Sequence, residues 1–65
     1  MYKEMESCTQ FSIGDKVMFT DDYSEWWVMT LYHNINAIVC ITTDESRKTR
    51  RTFKPHQLEI LEKMP

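Results

Sequence analysis

Trp26-Trp27-Val28-Met29-Thr30-Leu31-Tyr32 is the stretch that decides how this chain is read. It holds both tryptophans, carries no charge and contains no turn-forming residue, so it is read as a β-strand. Side chains alternate between the two faces of a strand. Trp27, Met29 and Leu31 therefore share one face, and Trp26, Val28, Thr30 and Tyr32 the other. The second set holds the threonine and two amphipathic rings, so it is expected to face outward, with the first set in the core.

The flanking segments read as what surrounds this strand. Gly14-Asp15 forms a tight turn that launches a strand over 16–19, with Val17 and Phe19 on its core face. Residues 20–25 are an acidic, turn-rich loop. His33-Asn34-Ile35-Asn36 is the next turn, since asparagine tolerates the left-handed backbone that a chain with one glycine must find elsewhere. Residues 37–42 are β-branched and apolar on both faces, which suits a central strand with Val39 and Ile41 inward. A polar tip at 43–46 leads into a strand over 47–53 that alternates charged residues with threonine. Pro55 cannot join a ladder and marks a bend, with a 3-10 turn over 55–58 and a closing strand over 59–62. Residues 1–10 have no clear period and are expected to be a flexible tail, with one domain over 11–62.

Sixty-five residues make a single domain with one small core. That leaves no material for a deep, dry pocket, so the chain is not expected to be an enzyme and needs no catalytic residue. Cys8 and Cys40 are the only cysteines and are expected to be reduced, Cys40 packing as a small hydrophobe. Residues 1–10 lack the apolar core of a signal peptide, and no run approaches about 20 apolar residues. A soluble, cytoplasmic protein with no membrane contact is the expectation.

The net charge of −2 conceals a polarised molecule. Residues 47–54 carry five positive charges (Arg47, Lys48, Arg50, Arg51 and Lys54) and no negative one. The rest of the chain has three lysines against ten acids and sums to −7.

The pattern Phe11-x-x-Gly14-Asp15-x-Val17-x-Phe19, the Trp26-Trp27 pair and Phe53-x-Pro55-x-x-Leu58-Glu59-x-Leu61 together resemble the SH3-like small β-barrel superfamily. The resemblance covers residues 11–61. It implies a five-stranded all-β barrel with a short 3-10 turn before the last strand. It also implies that Trp26 and Pro55 lie on a peptide groove. The tyrosine-rich stretch of eukaryotic SH3 domains has no counterpart before Val17, and Lys54 and Leu58 stand where those domains carry a core aliphatic and a groove tyrosine. The Gly14-Asp15-Lys16-Val17 opening and the 55–59 ending look more like bacterial and phage members, or KOW and Tudor-like barrels.

This fold hosts many kinds of partner. The first reading is a small regulator or inhibitor that binds another protein, through an acidic surface or peptide. Its contact set is Trp26, Tyr32, Tyr23 and Pro55 with the basic Arg47, Lys48, Arg50, Arg51 and Lys54. A chain of this size that opens on Met1 and has no linker suits a free-standing phage or mobile-element protein. The alternative is an RNA- or DNA-binding barrel, with the cations on phosphates and the rings stacking on bases. A third reading is a homo-oligomer joined through the apolar outer face. The acidic 21–25 loop lacks the ligand number and glycine of a calcium site. Cys8, His33, Cys40 and His56 have no zinc-ligand spacing, so neither metal nor cofactor is expected.

Overall fold

The computed structural model describes residues 7–65 and contains five antiparallel strands in one sheet. They are β1 (Lys16–Phe19), β2 (Glu25–Tyr32), β3 (Ala37–Thr42), β4 (Arg50–Phe53) and β5 (Leu58–Glu62). The spatial order is β4-β3-β2-β1-β5. Helical structure among the described residues is limited to 3-10 turns at Cys8–Gln10, His33–Ile35 and Pro55–Gln57. The all-β class and the 3-10 turn before the last strand are as expected. Among the described residues, no helix is long and apolar enough to cross a membrane.

The sheet curls on itself. In a flat sheet, β1 and β4 would stand about 14 Å apart, three spacings of about 4.8 Å. The rings of Phe19 on β1 and Phe53 on β4 nevertheless meet with centroids 4.8 Å apart. Trp26 stands edge-on against Phe53 at 5.2 Å. These three rings, with Val17, Val28, Ile38, Cys40 and Leu58, fill the interior of a small barrel.

Here the tryptophan strand departs from simple alternation. Trp26 (6 % exposed) and Val28 point into the core, whereas Trp27 is 39 % exposed, the reverse of the expectation. The register of β2 against β3 shifts between Val28 and Thr30, so Met29 is the extra residue of a β-bulge. Beyond the bulge the phase changes, and Leu31 packs against the core as expected while Tyr32 stays exposed. One inserted residue thus separates a correct half from an inverted half. Chemistry explains how Trp26 is tolerated inside: its indole Nε1–H donates to Ser24 Oγ at 2.8 Å, so no polar group is orphaned.

In β3 the buried residues are Ala37, Ile38 and Cys40, and Val39 and Ile41 are only half-buried, which also reverses the expected face. The register sets this phase: Ile38 lies opposite Phe53 and Cys40 opposite Val28, both facing the interior. Burial pushes the Cys40 thiol up to about 12, and the Cys8 thiol also titrates above its ordinary range because of burial. Both cysteines are free. β4 is shorter than expected and begins only at Arg50.

Of the tail expected over 1–10, residues 1–6 lie outside the described residues, and 8–10 form a 3-10 turn. Cys8 in that turn is buried, its N–H donating to Asn36 Oδ1 at 3.0 Å. Asn36 adopts the left-handed conformation (φ 53°), as the turn chemistry predicted. Gly14 is likewise at φ 99°. The turn it makes delivers Asp15 into full burial, where the carboxylate gathers the C-terminal segment. Met64 N–H donates to Asp15 Oδ1 at 2.7 Å, and Ser12 N–H and Lys63 Nζ reach Oδ2 at 2.8 and 3.0 Å.

Candidate functional site

Two loops meet at one end of the barrel, and both are built from the same short motif. In Asp22-Tyr23-Ser24, Asp22 Oδ1 accepts from Ser24 N–H at 2.9 Å and from Ser24 Oγ at 2.6 Å. In Asp44-Glu45-Ser46, Asp44 Oδ1 accepts from Ser46 N–H at 3.0 Å and Ser46 Oγ at 2.7 Å. Such Asx turns satisfy the loop backbone locally. In each, the serine's hydrogen bonds hold the aspartate below the ordinary carboxylate range, with a smaller contribution from a nearby arginine. The carboxylates are therefore engaged within their own loops.

Between the loops runs a groove of about 230 Å³. Trp26 forms its floor, with Asp22 and Ser24 on one rim and Thr42, Thr49, Arg47 and Arg51 on the other. Thr42 N–H bonds to Thr49 carbonyl oxygen at 2.9 Å, which closes the β3–β4 hairpin and fixes that rim. Arg51 shares the inward face of β4 with Phe53. Its guanidinium lies over the Phe19 ring at 4.8 Å and the Phe53 ring at 5.1 Å. Stacking of this kind holds the planar fork in place while leaving its N–H edges to other acceptors.

The remaining residues of the expected contact set are scattered. Tyr23, 74 % exposed, sits on the groove's 20–24 loop in the left-handed region at φ 64°. Lys48 and Arg50 are exposed on the same hairpin, outside the groove. Tyr32 is exposed at the opposite end of β2, roughly 20 Å from Trp26 at about 3.3 Å per residue. Pro55 is buried beside Phe11 and Leu58, lining a different groove of about 360 Å³. Lys54 Nζ is spent on the Ile35 carbonyl oxygen at 2.9 Å. Of the expected contact set, the structure brings Trp26, Arg47 and Arg51 to one groove, keeps Tyr23 on its loop, and places Tyr32, Pro55 and Lys54 elsewhere.

Across the outer face, the ladder aligns Lys16, Trp27, Ile41 and Arg50 in one row over four strands. Trp27, absent from the expected contact set, is the exposed indole of this row. Lys16 Nζ stands 5.6 Å from its ring and within 3.3 Å of Glu25 and 3.9 Å of Glu62. The repeated Asp-x-Ser motif was the sequence signal that could have located both groove loops. Nothing comparable marked the bulge that brings Trp27 out.

Among the described residues, no three His, Cys, Asp or Glu side chains come together to hold a metal ion. No family model, no curated protein and no solved structure matches this chain.

Proposed function

We propose that the chain is a small, non-enzymatic binding module of the SH3-like barrel type. In this reading it is a regulator or inhibitor that docks on an acidic segment of another protein through its β3–β4 hairpin. The fold component rests on the resemblance over residues 11–61, with which five curled antiparallel strands and a 3-10 turn before the last one agree.

One observation carries the functional component. Among the described residues, Arg47, Lys48, Arg50 and Arg51 have no carboxylate within ion-pair distance, whereas Lys16 and Lys63 each do. Four like charges held on one hairpin repel one another, and the loop's own acids do not neutralise them by contact. An external acidic group would. The exposed Trp27, in the same outer row as Arg50 with Ile41 between them, gives some support to a nucleic-acid ligand instead, but the acidic β1–β5 side opposes a polyanion that spreads beyond the hairpin.

Titration of ¹⁵N-labelled protein with hexaglutamate and, separately, with a single-stranded oligonucleotide tests this reading. Hexaglutamate is expected to shift amide signals of residues 44–51 at low salt, and Lys48→Glu with Arg50→Glu to weaken it. Signals that move only with the oligonucleotide would transfer the assignment to nucleic acid. A hairpin that responds to neither would end it.

A further inference from the structure

Resting on that reading, we infer that the Trp26-floored groove is a socket for a single carboxylate, the side chain of one aspartate or glutamate in the partner segment.

The donors around the groove support an oxyanion ligand. Arg51 is stacked in place by Phe19 and Phe53, so its fork is oriented before anything binds. Little rotamer entropy then remains to be lost on binding. Arg47 reaches the groove from the hairpin turn, whose backbone is fixed by Arg47 N–H donating to Asp44 carbonyl oxygen at 3.0 Å. The Thr42 hydroxyl accepts from Asp44 N–H at 3.1 Å, which leaves its own proton free to donate. The Thr49 hydroxyl makes no hydrogen bond among the described residues and is a second donor on the same rim. Two guanidiniums and two hydroxyls suit the lone pairs of one carboxylate, which accepts bidentately from arginine.

Charge selects the class of anion. Of the groove's lining, Arg47 and Arg51 are cationic and Asp22 anionic, and Asp44 near Arg47 lowers the local positive charge further, so the surplus is at most one. Asp22 is held on its rim by Ser24, and it opposes a second negative charge in so small a space. A monoanionic carboxylate matches this balance, and a phosphate dianion exceeds it. The apolar floor accommodates the methylene stem of a glutamate against the indole.

The test uses blocked Gly-Gly-Glu-Gly-Gly, its glutamine counterpart and its phosphoserine counterpart, with the Trp26 indole N–H signal as reporter. The glutamate peptide is expected to move that signal saturably, and the glutamine peptide to leave it still. Arg47→Met should weaken the glutamate peptide by about 10-fold or more, the scale of one lost charge-assisted hydrogen bond. Thr49→Val, which keeps the side-chain shape, should weaken it less. Lys48→Met removes the same charge next door and should change affinity by no more than about 2-fold. Equal losses for Arg47→Met and Lys48→Met would overturn the socket while leaving hairpin binding of hexaglutamate intact. Tighter binding of the phosphoserine peptide would overturn the carboxylate assignment. Loss of the hexaglutamate response itself would instead remove the proposed function beneath it.

Discussion

At the β1–β5 side of the barrel, Lys16 lies between Glu25 and Glu62, and Lys63 closes on the buried Asp15 at 3.0 Å. At the β3–β4 hairpin, Arg47, Lys48 and Arg50 are exposed, Arg51 lies over the Phe19 and Phe53 rings, and the two nearest loop aspartates are bound to their own serines. The same residue types thus serve two ends. On the first side, charges are consumed in closing the fold: Lys63 also donates to Gln10 carbonyl oxygen and Ser12 Oγ, tying the C-terminal segment to the chain before β1. On the second side none makes an ion pair among the described residues, and their N–H groups are available to an outside group. Formal charge alone does not distinguish the two regions. What distinguishes them is where each carboxylate's lone pairs are spent.

The adjacent tryptophans offer the largest test of where fold ends and surface begins. Trp26→Ala removes an indole from contact with Phe53, together with its hydrogen bond to Ser24 Oγ, and is expected to cost about 3–5 kcal/mol. Trp27→Ala, on the outer row, should cost less than about 1 kcal/mol. Urea unfolding of the two variants checks the pair. Equal losses would mean that the outer face is as much a part of the core as the inner one.

Asp15 gives the next effect. Burial alone would raise its pKa, but hydrogen bonds from Met64 and Ser12 N–H and from Lys63, together with the Lys63 charge, outweigh burial and leave it lowered. A carboxyl whose folded pKa is depressed adds stability above its unfolded pKa, about 3.9, and loses it as pH falls through the lower folded value. Asp15→Asn is therefore expected to cost about 1.5–3 kcal/mol at pH 7. Its penalty relative to the unaltered chain should shrink as pH drops below about 4. Asp22 and Asp44 have lowered values too and remain in both proteins, so the difference between the two pH curves isolates Asp15. A penalty that persists unchanged at pH 2 would show that the side chain matters for shape and not for charge.

Much of the fold was legible because its signals are local. Val17 and Phe19 alternate cleanly, Gly14 and Asn36 stand where the backbone turns left-handed, and Pro55 stops a ladder. The candidate site was less legible, since it depends on phase. A bulge at Met29 inverts the meaning of alternation along β2, and no residue type there announces it. Trp26 was assigned outward because it shares a face with Thr30 and, like Tyr32, is an amphipathic ring. The partner of its indole N–H turned out to be Ser24, two residues away, whose hydroxyl lets the ring be buried and still be satisfied. Arg47 and Arg51 could be picked out as part of a basic run, but not as the two members that share a groove. That selection comes from the curl of the sheet, which sets Arg51 over Phe19 from three strands away.

The smallest effect tests the comparison along one row of the sheet. Lys16 and Arg50 sit at opposite ends of the line that passes through Trp27 and Ile41. Lys16→Glu would set a carboxylate between Glu25 and Glu62, exchanging attraction for repulsion, with an expected loss of about 1 kcal/mol. Arg50→Glu breaks no ion pair among the described residues and relieves repulsion within the hairpin. Its effect on stability should stay within about 0.5 kcal/mol and could be of either sign. Denaturant midpoints at 0.1 M and 1 M salt decide it. The gap between the two variants should narrow at high salt, where the screening length falls from about 10 Å to about 3 Å. If Arg50→Glu destabilised as much as Lys16→Glu, the hairpin cations would have structural partners after all. The division between charges that close the barrel and charges that reach outward would then collapse.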